Sequence, residues 1–314
     1  MEYGLVVVWV AVYVGLGMLA MPAASLVFAS LPDRGAGMSI PFAFGVLAFV
    51  GYWIGQVRFG LFTAPLAVLV LGTVSAIALS RGVDLHWNRY RDAVVVFVFA
   101  YLFLLSIRAL KPGVWPGGGE KFLDFGLLAS LLRSTQLPPQ DVWFANEPVR
   151  YYYGGHMLAA LFAMLTNTAA KYAYNLALAG YYAAFVTAAF GLAGTVAAGV
   201  ERSYRLGGGM AAFFVAIASN LATPLRLLIW ILPGEIGRGF ARLVGLEVKG
   251  LATGPGNFSY WFASRVIDYK VIGGDQWHLI NEFPFFGFLN GDLHGHMMSP
   301  VFLLLGAGLA YSYW

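Results

Sequence analysis

Long apolar stretches recur along the chain and are separated by shorter polar segments. A helix needs about 20 apolar residues to cross the hydrocarbon core of a bilayer. The stretches that come close to this length are Leu5–Phe28, Ile40–Val57, Leu61–Ser80, Ala93–Leu110, Tyr174–Val200, Met210–Leu232 and Phe285–Trp314. The pattern therefore predicts an all-α, polytopic membrane protein with about seven transmembrane helices.

One further apolar stretch, Met157–Leu165, is too short to cross and suits a re-entrant or interfacial piece. Short loops that carry arginine face the cytoplasm as a rule. Such loops contain Arg34, then Arg81, Arg89 and Arg91, then Arg202 and Arg205. All of them face the cytoplasm only if Met157–Leu165 does not cross. The polar segments Lys111–His156 and Pro233–Pro284 then both lie on the non-cytoplasmic face.

Composition agrees with a membrane protein. The chain is 60% hydrophobic and 11% charged, whereas soluble domains carry about 25% charged residues. It has no Cys, which excludes disulfides, thiolate metal sites and a cysteine nucleophile. The net charge of +4 reflects arginines in loops and does not indicate a nucleic-acid partner. We expect a multipass protein of the cell membrane, with the lipid bilayer as its surroundings.

The same pattern divides the chain into three parts. Residues 1–110 hold the first transmembrane helices, residues 111–173 form an outer loop with interfacial helices, and residues 174–314 hold further transmembrane helices and a second outer loop. Both outer segments are rich in Trp, Tyr, Phe and Pro. Disordered segments are poor in aromatic residues, so both are predicted to be ordered on the membrane surface.

The first outer segment contains two carboxylates, Glu120 and Asp124, at helical spacing. Apolar residues around them predict a short amphipathic helix, and residues four apart project from one face of it. Paired carboxylates can act as a general base and as cation ligands. Acidic residues are also common in the solvated first turn of a helix, so spacing alone leaves both interpretations open.

Three consecutive tyrosines, Tyr151, Tyr152 and Tyr153, end this segment and precede Gly154, Gly155 and His156. Three successive rings cannot share one helical face. They form either an interfacial aromatic belt or one wall of a binding surface. His156 at the start of an apolar stretch is a candidate for proton transfer or ligand binding.

A second group of polar residues lies in and after the second outer segment. Arg265 stands among aromatic residues and can bind a phosphate through its guanidinium fork. Glu282 lies at the mouth of the last apolar stretch, and Asp292, His294 and His296 lie beside or inside it. Ionisable groups at membrane depth are functional by default. These last three residues can bind a divalent metal, or Asp292 can cap a helix while the histidines form hydrogen bonds within the protein.

Six segments together resemble the triple-tyrosine (YYY) family of multipass membrane proteins. They are Lys121–Phe125, Pro138–Trp143, Tyr151–His156, Ser264–Ile267, Glu282–Phe285 and Gly291–His296. Gly155 and Gly295 depart from the pattern, which has bulkier residues or proline there. Members of that family usually continue further, so the chain is expected to be truncated at its C-terminus or to have a C-terminal partner half.

The layout of that family is similar to the GT-C glycosyltransferases, which act on sugars linked to lipid phosphates at the outer face. The resemblance implies a polyprenyl-phosphate-linked sugar donor. Asp124 would be the general base or a metal ligand, assisted by Glu120, and Arg265 would pair with the lipid phosphate. The three tyrosines would stack on the sugar or prenyl chain.

The remaining polar residues, His156, Glu282, Asp292, His294 and His296, would complete the pocket and hold a divalent cation, Mg²⁺ or Mn²⁺. Two alternatives stay open. One is a transporter or lipid-handling protein, for which the chain shows no clear inverted repeat. The other is a non-catalytic subunit of a membrane assembly.

Overall fold

Helices dominate the computed structural model, which describes residues 3–114, 120–219, 222–244, 264–265, 269–272, 275–278 and 281–314. In chain order the helices are α1 (Tyr3–Val27), α2 (Ser39–Val57), α3 (Thr63–Ser80), α4 (Trp87–Leu110), α5 (Lys121–Arg133), α6 (Gly154–Leu165), α7 (Ala170–Gly199), α8 (Tyr204–Ala216), α9 (Ala222–Ile231), α10 (Gly234–Leu243), α11 (Pro284–Asn290) and α12 (Gly295–Tyr313). A 3₁₀ turn, Ala36–Met38, leads into α2. Strands β1 (Tyr269–Ile272) and β2 (Asp275–His278) form one antiparallel hairpin.

Five of these helices are long and apolar enough to cross a membrane: α1, the turn with α2 (Ala36–Val57), α3, α4 and α7. The 25 residues of α1 extend for about 38 Å, which exceeds the roughly 30 Å of a hydrocarbon core. The prediction of an all-α polytopic membrane protein is confirmed, with the short hairpin as an addition. The predicted number of seven is not confirmed.

Helix α7 is the central helix among the spans. It buries 89% of its most apolar window, whereas the other four spans bury between 33% and 50% of theirs. Small residues along α7 allow close packing. A Cβ atom on Gly191 would lie 2.5 Å from the carbonyl oxygen of Gly37, so glycine is required where these backbones meet. The polar residues that α7 carries are therefore held at fixed positions.

Helix α6 lies within the bundle although it cannot cross a membrane. Its 12 residues extend for about 18 Å, which is too short, as predicted from Met157–Leu165. Residues 156–163 are all buried, and Phe162 packs against Tyr13 and Phe44 in an aromatic core. The nearby Trp9 Nε1 donates to Thr168 Oγ1 at 3.0 Å. These contacts hold His156, near the start of α6, inside the protein.

The last two predicted spans are each divided into two helices. In Met210–Leu232, α8 ends at Ala216 and α9 begins at Ala222. Pro224 lies in the first turn of α9, where its missing N–H needs no partner, and it does not suit the interior of a longer helix. In Phe285–Trp314, α11 ends at Asn290 and α12 begins at Gly295. Gly291 has φ 81°, a left-handed conformation that ends helices.

Contacts divide the chain into two compact units. One comprises Met1–Ala216 and Phe288–Trp314, and the other comprises Ile217–Gly287. The first unit contains the five spans and α5, α6 and α12. The second contains α9, α10 and the hairpin. The predicted division at residues 110 and 173 concerned the membrane topology, and it stays a prediction.

Candidate functional site

Asp124 lies on the buried face of α5, not on a solvated one. Leu127, Leu128 and Leu131 form an apolar stripe on this helix, and Asp124 occupies the preceding position of the same stripe. Its exposed fraction is 0%. The spacing of three, four and seven residues was visible in the sequence, so the burial of this carboxylate was predictable. An acid held on an apolar stripe needs a polar partner.

The partner of Asp124 is His156, the third residue of α6. Its Nε2 lies 3.3 Å from Asp124 Oδ1, and its side chain is also 0% exposed. Among the described residues, Asp124 Oδ2 and His156 Nδ1 have no hydrogen-bond partner. Buried polar atoms are rarely left without one, and the exceptions concentrate at functional sites. Asp124 Oδ2 and His156 Nδ1 are therefore still able to bind another polar group.

Tyr152, His294 and Glu120 form a chain of polar contacts next to this pair. Tyr152 Oη lies 2.7 Å from His294 Nε2, and His294 Nδ1 lies 3.4 Å from Glu120 Oε2. The Tyr152 ring also stacks on the His156 ring, with a centroid distance of 6.3 Å and an angle of 16°. The exposed fraction rises from 20% at His294 to 51% at Glu120. Tyr152 is 37% exposed, so all three side chains reach solvent, whereas Asp124 and His156 do not.

The hydroxyl of Tyr152 is held in its protonated form. Burial and the neighbouring Tyr151 raise its pKa well above the usual value, so the hydroxyl keeps its proton beside His294 Nε2. The result is a carboxylate, a histidine and a hydroxyl in sequence, which is an arrangement suited to moving a proton.

The loop between α11 and α12 positions His294. Tyr174 of α7 bridges it, because its hydroxyl donates to Gly291 O at 3.2 Å and accepts from Leu293 N at 3.0 Å. Asp292 in the same loop is buried and accepts a bond from Asn290 Nδ2 at 2.7 Å. Burial raises the pKa of Asp292 to about 6, although the positive charge of Lys121 acts against this shift.

Arg108 is a functional candidate that the sequence interpretation missed. Its side chain is 5% exposed at the end of α4, and its Nε donates to Asn175 Oδ1 at 3.0 Å. Asn175 in turn donates to Pro112 O. A Cβ atom on Gly291 would lie 2.5 Å from Arg108 Nη1, so the guanidinium lies against the His294 loop. The available signal was a charge inside a predicted span.

Asp124, His156, Tyr152, His294 and Glu120 together form the cluster. Other predicted residues take different positions around it. Tyr151 donates from its hydroxyl to Glu120 Oε2 at 3.5 Å, and its ring contacts that of Tyr152. The His296 ring lies 4.9 Å from the His294 ring. Tyr153 points elsewhere, beside Tyr52 and Gln56 of α2. The three tyrosines therefore have separate environments, and two of them belong to the cluster.

Two predicted residues lie in the second compact unit. Arg265 and Glu282 form an ion pair there, and their backbones form an isolated bridge. The Arg265 guanidinium also lies 5.0 Å from the centroid of the Phe286 ring. The two side chains thus bind each other. Their predicted roles, Arg265 at the lipid phosphate and Glu282 in the polar pocket, stay predictions.

No metal centre is assembled among the residues with described positions. They contain no group of three or more His, Asp or Glu side chains that could hold a metal ion. Asp292, His294 and His296 are close along the chain, but they do not form such a group. A requirement for Mg²⁺ or Mn²⁺ stays a prediction, and no step of the chemistry below depends on it.

The two glycines that depart from the triple-tyrosine pattern both border the cluster. A Cβ atom on Gly295 would lie 3.0 Å from the Tyr152 ring, and one on Gly155 would lie 2.4 Å from the sulfur of Met298. Larger residues at these positions would push α12 away from Tyr152. The glycines therefore set the close approach between the tyrosine segment and α12.

Comparisons with known proteins give one match. A family model described as "Uncharacterized membrane protein (DUF2298)" matches residues 46–314, which is most of the chain. No match was found among curated proteins or among solved structures. The matched range includes every residue of the cluster around Asp124.

Proposed function

The chain belongs to the DUF2298 family of uncharacterized membrane proteins, and we propose that it is a GT-C-like membrane glycosyltransferase. It transfers a sugar from a polyprenyl-phosphate donor to a hydroxyl acceptor on the non-cytoplasmic face. One observation carries the proposal. A chain of polar contacts through Tyr152, His294 and Glu120 reaches solvent beside a buried acid–histidine pair, and the Tyr152 ring stacks on the histidine of that pair.

The reaction needs a base and a means of holding the leaving group. The acceptor oxygen forms a bond to the anomeric carbon of the sugar, and the bond from that carbon to the phosphate oxygen breaks. The electron pair of that bond leaves with the lipid phosphate. The proton of the acceptor hydroxyl passes to the base. A well-positioned general base contributes about 10²- to 10⁴-fold to such a rate.

Glu120 suits the role of base better than Asp124. Its carboxylate is half-exposed and lies on the open side of the cluster, whereas Asp124 is buried and out of reach of an acceptor. His294 Nδ1 lies 3.4 Å from Glu120 Oε2 and holds the carboxylate in place. Asp124 acts as a positioning residue through His156, whose ring stacks on Tyr152. This assignment reverses the order of the two carboxylates expected from the resemblance.

The exposed aromatic residues suit a sugar. The Tyr151 and Tyr152 rings are both exposed and border Glu120, so a sugar ring can stack beside the base. Aromatic rings bury large areas with a defined geometry. The six sequence segments that resemble the triple-tyrosine family, and the outer location expected from loop arginines, support the same conclusion.

The experiment uses the purified full chain in lipid nanodiscs. It receives a polyprenyl phosphate carrying a radiolabelled hexose, and the assay follows release of the labelled sugar to hydroxyl acceptors or to water. We expect turnover by the wild type and at least about a hundredfold loss in Glu120→Gln. The matched control is Glu147→Gln, an exposed acid of the same segment that pairs with Arg150. Equal loss in both variants, or wild-type turnover in Glu120→Gln, contradicts the proposal.

A further inference from the structure

A second feature of the first compact unit is a cavity of about 610 Å³ beside the cluster. It lies between the first residues of α1, the end of α4 and the start of α7. Leu5, Val6, Leu105 and Leu176 contribute apolar walls. Cavities of roughly 300–1,000 Å³ are typical of small-molecule sites, so its size suits a ligand.

Two cations line this cavity, Arg108 and Lys171, and none of the lining residues is Asp or Glu. The ion pairs of the described residues do not include Arg108; the carboxylate of Asp292 acts on it only at longer range, and Nη2 of Arg108 has no hydrogen-bond partner among the described residues. Asn175 contributes an amide beside it. A buried guanidinium without a carboxylate partner is costly unless an anion neutralises it. The cavity therefore favours an anionic ligand.

The position of the cavity favours a lipid as the carrier of that anion. Four consecutive spans bring the end of α4 back to the face at which α1 begins, and α7 starts on that face if α6 does not cross. Charged groups thus lie at helix ends, and apolar walls continue from them into the span. Lys171 is exposed and can place its ammonium at the interface while its stem lies along apolar surface.

Arg108 connects this cavity to the catalytic cluster. The same guanidinium lines the cavity and lies against Gly291, next to Asp292 and the loop of His294. An anion bound by Arg108 is therefore held on the side of α7 that carries Tyr174, whose hydroxyl bridges that loop. The arrangement brings a phosphate close to the proposed acid–base chain.

We propose that this cavity binds the phosphate and the adjoining apolar chain of a phosphate-bearing lipid, with Arg108 and Lys171 binding the phosphate. The identification of that lipid as the sugar donor rests on the proposed function, but the binding itself does not. The inference assigns phosphate recognition to Arg108 and Lys171 instead of Arg265, which already pairs with Glu282.

The test measures binding of a fluorescent farnesyl phosphate to the purified full chain in phosphatidylcholine nanodiscs. Farnesol provides the same apolar chain without the phosphate, and inorganic phosphate provides the anion without the chain. We expect farnesyl phosphate to bind at least about tenfold more tightly than farnesol. Millimolar inorganic phosphate should not displace it.

The variants separate the site from general membrane charge. Lys171→Gln should weaken binding about tenfold, which is ~1.4 kcal/mol and near the lower value for a charged hydrogen bond. Lys111→Gln, an exposed lysine that does not line the cavity, should change affinity by less than twofold. Arg108→Gln should weaken binding further, and Lys171→Gln keeps the test valid if that variant does not fold.

Several results would overturn the inference: equal affinity for farnesol, full displacement by inorganic phosphate, or an unchanged affinity in Lys171→Gln. The two proposals fail in different ways. Phosphate-dependent binding that Lys171→Gln weakens, without sugar release from any donor, contradicts only the glycosyltransferase and favours a lipid-handling protein. Turnover with binding that Lys171→Gln leaves unchanged contradicts only the lipid site.

Discussion

Asp124 of α5 faces His156 of α6, and Oδ1 of the acid lies 3.3 Å from Nε2 of the histidine. Neither side chain has any exposed surface. One oxygen of the acid and one nitrogen of the histidine have no other partner among the described residues. A pair chosen for stability alone would satisfy these atoms. We interpret the pair as a functional feature that the fold accommodates at a cost in stability.

The first prediction follows from that cost. Asp124→Asn keeps the shape of the side chain and an oxygen that faces His156 Nε2, and it changes an acid that the fold accommodates at a cost, so the midpoint of thermal unfolding should stay equal or rise. Sugar release should fall at least about tenfold, with the loss in kcat and not in KM. Differential scanning fluorimetry and the transfer assay measure the two effects.

A positioning role for Asp124 has its own signature. If the acid acts through His156 and Tyr152, the variant should also shift the pH–rate profile, whereas a purely structural role would lower stability and leave the profile in place. Destabilisation of the variant together with an unchanged profile argues against the interpretation of the pair.

The second prediction concerns the hydroxyl of Tyr152. Tyr152→Phe keeps the ring that stacks on His156 but removes the hydroxyl that is hydrogen-bonded to His294 Nε2. We expect about a tenfold loss of turnover with little change in stability. Tyr153→Phe is the matched control, because Tyr153 lies beside α2 and outside the cluster. A similar loss in both variants would show that the Tyr152 hydroxyl has no special role.

The third prediction is a pH dependence of stability from Asp292. Its pKa is about 6 in the folded protein and 3.8 in a model compound. Between these values the unfolded carboxyl is ionised while the folded one keeps its proton, so the neutral form is favoured by folding. The stabilisation of the folded state by neutral Asp292 is fully present below about pH 3.8 and is lost as the pH rises to about 6.

Asp292→Asn removes this titration without changing the shape of the side chain. The stability of the wild type relative to the variant should therefore fall between about pH 4 and pH 6 and stay constant above. Unfolding of both proteins in the same detergent, measured across this range, checks the difference. A difference that is flat or rises with pH contradicts burial as the dominant influence on this carboxyl.

The fourth prediction concerns the backbone at Gly291. Its φ of 81° is unfavourable for any residue with a Cβ, and that atom would lie 2.5 Å from Arg108 Nη1. Gly291→Ala should cost at least ~1 kcal/mol of stability from the conformation alone. It should also displace Arg108 and weaken binding of farnesyl phosphate.

Gly154→Ala is the control for this change. Gly154 begins α6, and a Cβ atom there would meet nothing within 4 Å. Its stability should equal or slightly exceed that of the wild type, because alanine favours a helix. An equal loss in the two alanine variants would mean that the contact between Gly291 and Arg108 has no particular importance.

Much of the membrane architecture could be predicted from the sequence. The first four apolar stretches and Tyr174–Val200 each correspond to an observed span, because length and hydrophobicity determine whether a helix can cross. The last apolar stretch, Phe285–Trp314, was predicted as one span, but it is divided into α11 and α12. The reason is physical. Its break at Gly291 depends on a backbone conformation and a neighbouring side chain, and neither is visible in an average of hydrophobicity.

The candidate site was predictable in its members but not in its arrangement. Tyr152 and His294 are 142 residues apart, and only the packing of α12 beside the tyrosine segment brings them together. The burial of Asp124 could be read from its place on the Leu127 stripe, and the importance of Arg108 from its place in a span.

The most direct test of the central claim is the product balance in a single turnover. A nanodisc-embedded wild-type chain is mixed with a polyprenyl phosphate bearing a labelled hexose, and mass spectrometry quantifies the lipid phosphate and the glycosylated or hydrolysed product. We predict equal amounts of the two products, formed at least about a hundredfold more slowly in Glu120→Gln. Intact donor after incubation with the wild type, at concentrations that saturate binding, would contradict a sugar-transfer function for this site.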